Sequence, residues 1–168
     1  MRKNLLNACL AVVVVMLFTC CAGAPKITSP DDCLVVIKSE FVNPPELSYS
    51  QQNSRYFQFR LSGNYPPATI KKEYTMVVVK EPAVKVVSIS SGADGGFVGK
   101  SFEYKLNGVL PYKPGYLIVA NFVFVRTVEK VGLNTIFTKF SFRNITKAER
   151  EELLGRFQND SAFAEWKK

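Results

Sequence analysis

The stretch YLIVANFVFV, residues 116–125, decides the fold, because beyond the N-terminal segment it is the most apolar run of the chain. Ile118, Val119, Val123 and Val125 are β-branched, and with Phe122 and Phe124 they suit a pleated surface better than a helix. Apolar residues at consecutive positions, rather than alternate ones, predict a strand covered on both faces at the centre of the structure. Downstream, Ile136, Phe140 and Phe142 mark one face of a further strand, reached through residues 129–134 in a predicted hairpin. Upstream, Phe102, Tyr104 and Leu106 alternate with Ser101, Glu103 and Lys105. The Asn107-Gly108 pair that follows, tolerant of positive φ, predicts a tight turn.

The same pattern continues outward. In YFQFRL, residues 56–61, Phe57, Phe59 and Leu61 fall on one face and Gln58 and Arg60 on the other, the signature of a half-buried strand. Ile70, Tyr74, Met76 and Val78 repeat the alternation, with Lys71, Glu73 and Thr75 expected outward. Between Val86 and Val87 the apolar phase shifts from even to odd positions, which predicts a bulge or bend. Cys33-Leu34-Val35-Val36-Ile37 reads as strand core. About seven such runs over residues 33–145, with no helix between them, predict an all-β domain. The expected form is an antiparallel two-sheet sandwich of immunoglobulin-like architecture, with a small closed barrel as the alternative.

Residues 146–168 are different. Thr146-Lys147-Ala148-Glu149 is a capping box, in which the threonine oxygen accepts from the N3 amide and Glu149 reaches back to the N-cap. Leu153, Leu154 and Phe157 follow as an apolar stripe that would dock a helix on the sandwich. Beyond Asn159-Asp160 a second short turn carries Phe163 and Trp166 and ends in Lys167-Lys168. Two roles stay open for this tail: cover for the core, or contact with a membrane surface or partner.

At the other end, Arg2 and Lys3 precede an apolar run from Leu5 to Phe18 broken only by Asn7, the n-region and h-region of an export signal. The run is short for a membrane-spanning helix, which needs ~20 apolar residues. Ala22-Gly23-Ala24 offers small residues for an ordinary signal peptidase, but the cut would leave Pro25 first, a poor partner for a protease that holds the backbone extended. Together the charged start, the apolar run and Leu17-Phe18-Thr19-Cys20-Cys21 resemble the signal and lipobox of bacterial lipoproteins, in the relaxed form similar to that of spirochaetes. The family prefers a small residue before the lipidated cysteine, and here that position holds Thr19 or Cys20. The resemblance implies a signal peptide over residues 1–20 and a diacylglyceryl thioether on Cys20 or Cys21. Two or three acyl chains hold a protein stably on a bilayer. The residue after either cysteine is Cys or Ala rather than Asp, which by the same resemblance implies the outer membrane of the cell envelope. Residues 21–32 are then expected to be a flexible tether, of which Ala22 to Asp32, small, polar and twice interrupted by proline, span at most ~38 Å.

Without the signal the chain has just under 150 residues, enough for one domain with a proper core. Of four cysteines, only Cys33 lies in the predicted domain, so no disulfide framework supports it. The formal charge is +8 from 22 basic and 14 acidic residues; losing Arg2 and Lys3 makes it +6. Such a surface attracts anionic lipid and acidic polymers, and outside the cytoplasm these, rather than nucleic acid, are the available partners. The basic residues are scattered, as on a solvated face.

The chain has no histidine, which removes Ser-His-Asp and Cys-His catalysis and the commonest zinc ligand. Glu73 and Glu103 are nominal candidates for a carboxylate pair, but both alternate with polar residues on outward strand faces. Residues 88–99 (SISSGADGGFVG) are glycine-rich without the spacing of a phosphate or calcium loop and are expected to be a flexible connection. Residues 110–116 (LPYKPGY) are sharper: Pro114-Gly115 fits a type II turn that would hold Tyr112 and Tyr116 on either side of Lys113. Tyrosines placed this way either stack on a sugar or protein ligand or staple the turn to the core. The sequence therefore leads to the expectation of a non-catalytic, membrane-anchored envelope lipoprotein. It would need no cofactor or metal and would bind a protein or polysaccharide near the membrane, with Tyr112, Lys113 and Tyr116 as the candidate contact residues. A structural or assembly subunit of an envelope complex is the alternative.

Overall fold

The computed structural model describes residues 24–43, 55–93, 103–130 and 136–168. It holds eight strands: β1 (Cys33–Val42), β2 (Arg55–Leu61), β3 (Ala68–Thr69), β4 (Tyr74–Val79), β5 (Lys85–Ala93), β6 (Glu103–Val109), β7 (Leu117–Lys130) and β8 (Ile136–Asn144). A helix, α1 (Lys147–Gln158), and a short 3-10 turn (Ser161–Phe163) follow. Two four-stranded sheets face each other, ordered β4-β1-β7-β8 and β3-β2-β5-β6. The expected two-sheet arrangement is present, but the first sheet is mixed rather than antiparallel: β1 runs parallel to β7, while β4 and β8 flank them antiparallel. Period-2 alternation carries no information about strand direction. A parallel pair needs a long crossover, and here the chain supplies one by passing through the second sheet twice between β1 and β7.

Residues 116–125 do lie at the centre. β7 is an inner strand, and its even positions Ala120, Phe122 and Phe124 face the second sheet in a core shared with Val35, Ile37, Phe57, Phe59 and Ile89. Its odd positions Leu117 and Val119 face the opposite way, into a second cluster with Leu34, Val36, Leu153, Phe157, Phe163 and Trp166. The first sheet is thus covered by the second sheet on one side and by the C-terminal tail on the other, which makes three layers. This corrects the assignment of β4: Thr75, expected outward, is 2% exposed toward the sandwich with Val77 and Val79, whereas Tyr74, Met76 and Val78 pack under the tail. A strand with two covered faces has no solvent side for Thr75, and its hydroxyl accepts from the Lys71 amide at 3.1 Å.

The phase change at Val86–Val87 is a register shift in the β5–β6 ladder between Val86 and Ser88. The same shift overturns the expected turn at Asn107-Gly108, which lies inside β6 with Gly108 opposite Val86. Glycine is needed there for closeness rather than for positive φ. A Cβ on Gly108 would lie 2.6 Å from Phe142 Cε2 and 2.9 Å from Phe122 Cζ. Gly108→Ala is therefore expected to destabilise the protein by about 1–3 kcal/mol, because two packed rings must move; a denaturant melt within 0.5 kcal/mol of wild type would show that they have room. Phe140 and Phe142 face inward on β8, which pairs with β7 from Phe122↔Asn144 to Lys130↔Ile136 as a hairpin partner should. The Ile136 side chain, Phe102 and residues 131–135 lie outside the described set. So do residues 94–99 of the glycine-rich stretch, whose first part belongs to β5.

The capping box forms as expected: the Glu149 amide donates to Thr146 Oγ1 at 3.2 Å and the Thr146 amide to Glu149 Oε2 at 3.0 Å. Glu149 also joins the helix start to the first sheet. It accepts from Lys38 Nζ at 2.7 Å and from Arg143 at 2.7 and 2.9 Å, while Arg143 further holds Glu40 at 2.7 Å. These donors, Arg143 first, Lys38 next and the Thr146 amide after, hold the Glu149 carboxyl far below the usual carboxylate range against the opposing effect of burial. A carboxyl depressed in the folded state stabilises above its unfolded pKa of about 4.3, and that contribution is lost as pH falls through the folded value. Glu149→Gln keeps the box but removes the charge. It is expected to cost about 1 kcal/mol at pH 7 and to flatten the fall in Tm below pH ~4, readable by calorimetry across an acid series. An unchanged acid slope would mean that other carboxylates set it.

Candidate functional site

The segment read as a tether meets the domain directly. Ala24 and Ile27 pack against the cluster beneath the tail, and the Pro25 carbonyl accepts from Trp166 Nε1 at 2.8 Å. Asp32 is fully buried, and its Oδ2 accepts from the Thr28 amide at 2.6 Å, the Thr28 hydroxyl at 2.8 Å and the Ser29 amide at 2.9 Å. Burial raises the Asp32 carboxyl, but these bonds and Lys80, 3.8 Å away, together outweigh it and leave it below its usual value. Residues 24–32 are therefore docked rather than free. Residues 1–23, with Cys20 and Cys21, lie outside the described set.

The turn around Lys113 takes the expected shape. Gly115 has φ +75°, and the Tyr116 amide donates to the Lys113 carbonyl at 3.2 Å, as a type II turn requires. Tyr112 is a staple: its hydroxyl lies 3.1 Å from the Asp31 carbonyl and 3.2 Å from that of Lys80, and its ring packs on the sandwich core. Burial, and then the neighbouring Asp31, push its phenol above the usual value. Tyr116 supports cations instead. Lys113 Nζ stands 3.6 Å over its ring centre and Lys167 Nζ 5.9 Å from it, and the Lys113 ammonium holds the phenol below its ordinary value. The C-terminal strand-like bridge secures the second lysine, since the Leu117 amide donates to Lys167 O at 2.8 Å and the Lys167 amide to Gly115 O at 2.9 Å. Cys33 is a buried free thiol receiving the Lys113 amide at 3.4 Å, and burial raises its pKa.

Of the three residues singled out in the sequence, Lys113 and Tyr116 thus form one exposed cationic spot, and Tyr112 lies behind it. The larger concavity at this end is a neighbouring cleft of about 760 Å³ bounded by Pro25, Lys26, Tyr65, Pro66, Val78 and Lys80, within the size range of ligand sites. It shares Tyr65, Pro66 and Val78 with an adjoining smaller space of about 270 Å³ lined also by Pro67 and Met76. Sequence reading missed it because its walls come from three separated segments. The only local signal was the rigid Tyr65-Pro66-Pro67, which follows a strand and cannot continue it. Tyr65 is fixed by accepting the Lys80 amide on its hydroxyl at 3.0 Å.

Among the described residues, no group of three or more Cys, Asp or Glu side chains is placed to hold a metal ion, and no helix is long and apolar enough to cross a membrane. Glu73 pairs with Arg156 at 3.5 Å; the Glu103 side chain is outside the described set. No protein-family model, curated protein or solved structure matches this chain.

Proposed function

We propose that the protein is a lipoprotein of a bacterial cell envelope, acylated at Cys20 or Cys21, whose β domain binds a protein or polysaccharide close to the membrane without chemical change. The observation that carries this is the docking of residues 24–32. With Ala24 fixed on the domain, an acyl group on Cys21 sits only three residues away, ~10 Å of extended chain. The cleft bounded by Pro25 and Lys26 would then work at headgroup level. An outer-membrane location is part of the same proposal, as is the immunoglobulin-like reading of the two facing sheets, from which the parallel β1–β7 pair departs.

The test is the mass of the N-terminal peptide of protein purified from its native host, with detergent-phase partitioning of wild type and of the Cys20→Ser, Cys21→Ser double variant. A diacylglyceryl cysteine and a shift of the variant to the aqueous phase are expected. An acyl-free terminus or an intact Met1 overturns the anchor. Extraction in mild detergent as a monomer is expected of a binding module, whereas a larger particle supports the assembly-subunit alternative.

A further inference from the structure

The cleft has a wall that side chains do not account for. Among the described residues β4 is an edge strand, paired with β1 alone. Along β1 the amide of Leu34 bonds to Tyr116 O and that of Ser39 to Glu73 O, so its even positions face β7 and its odd positions face β4. The β4 residues opposite Cys33, Val35 and Ile37 are Val79, Val77 and Thr75. Antiparallel partners exchange bonds at alternate residues, and the main-chain groups of Met76 and Val78 consequently point away from β1. Lys80 continues that outward series, and its amide finds Tyr65 Oη. Met76 and Val78 line the groove, and Pro66 and Pro67 across from them have no N–H to offer. Lys80 has both main-chain groups engaged, its carbonyl accepting from the Tyr112 hydroxyl, so among the described residues the groove presents two outward donor–acceptor pairs, those of Met76 and Val78, ~6.8 Å apart. Its wide end carries Lys26 and Lys80 against Glu81. Lys26 is exposed and, among the described residues, in no ion pair.

We propose that this groove docks an extended, acidic segment of a partner polypeptide, which adds as a strand to β4 and sets a carboxylate beside Lys26 and Lys80. The inference rests on the binding reading above and makes the partner a protein. A main-chain repeat of this kind matches a peptide backbone, whereas a glycan has no alternating amide pattern to pair with it. The second sheet's corresponding edge is less suitable, since β3 has only two residues. On the far side the outer strands β6 and β8 meet at Gly108, where the Phe142 ring lies against the glycine.

The full chain in detergent micelles can be titrated with a fluorescent decapeptide of alternating glutamate and valine, its lysine-for-glutamate counterpart, and polygalacturonate. Expected are saturable binding of the acidic peptide, at least about tenfold weaker binding of the basic one, and slowed hydrogen exchange at the Met76 and Val78 amides. Val78→Pro removes an outward donor while sparing the Thr75, Val77 and Val79 bonds to β1, and proline is tolerated on such an edge; it should abolish binding. If that variant melts, Lys26→Glu decides, with an expected loss of about tenfold. The proposal fails if the acidic peptide does not bind at millimolar concentration, or binds without protecting Met76 and Val78. Polygalacturonate binding that depends on Lys26 would instead make this a sugar site. None of these outcomes requires the acyl group, so failure here and failure of the anchor are separately visible.

Discussion

Phe124→Ala is expected to be the most damaging single substitution in the protein, lowering stability by about 3–5 kcal/mol and Tm by roughly 10 °C or more. Phe124 is completely buried on the central strand. Its ring lies 5.2 Å from Phe59, 5.8 Å from Phe140 and 6.3 Å from both Phe41 and Phe142, centre to centre. These contacts join β1, β2, β7 and β8, so one ring ties the two sheets together. Removing it loses the transfer free energy of the ring and leaves a cavity that surrounding rings fill only in part. Each lost aromatic pair adds about 0.5–1.5 kcal/mol beyond area. Val87→Ala, at a position 37% exposed on β5, should stay within about 0.5 kcal/mol. Urea melts of both variants make the comparison, with the slope expected to stay constant. A Phe124→Ala loss below about 1 kcal/mol would mean that the sheets are held elsewhere.

What the sequence made legible was local. The ten-residue run around Phe122, the alternation at 56–61, the phase slip at Val86 and the capping box at Thr146 each depend on neighbours a few positions apart. All four appear in the structure. What it hid depends on distant partners. Asn107-Gly108 has turn chemistry, but the approach of Phe122 and Phe142 uses the missing side chain to bring β6 close. Thr75 looked outward because nothing nearby signals that a helix from the end of the chain covers the other face. The cleft needed Pro25, Tyr65 and Lys80 to meet, and β4 needed its pairing partner known before its free edge could be seen. Of the Tyr112–Tyr116 stretch, the turn type followed from Pro114-Gly115. That Tyr112 would be spent on the Asp31 and Lys80 carbonyls did not.

Trp166→Ala is expected to cost about 3–4 kcal/mol and, unlike Phe124→Ala, to loosen one named segment first. Trp166 is the only tryptophan and is 3% exposed. It fills the cluster between the first sheet and the tail, and its Nε1 donates to the Pro25 carbonyl at 2.8 Å, across 141 positions of sequence. That bond is the direct polar link between the C-terminal turn and the segment through which an anchor would pull. Loss of the indole removes the apolar floor under Ala24 and Ile27 together with the bond, so residues 24–27 should undock before the sandwich melts. Trypsin reports this at Lys26, where the wild-type backbone is held and the variant's is not; cleavage there is expected to quicken in the native state. Trp166→Phe separates the two contributions, restoring most of the packing and losing only the hydrogen bond, about 1 kcal/mol. A tail serving as a membrane or partner contact makes the opposite prediction. In that case Trp166→Ala leaves both Tm and the Lys26 cleavage rate unchanged, and the wild-type tryptophan emission of detergent-free protein is red-shifted and quenched by iodide, moving to the blue only when micelles or a partner are added.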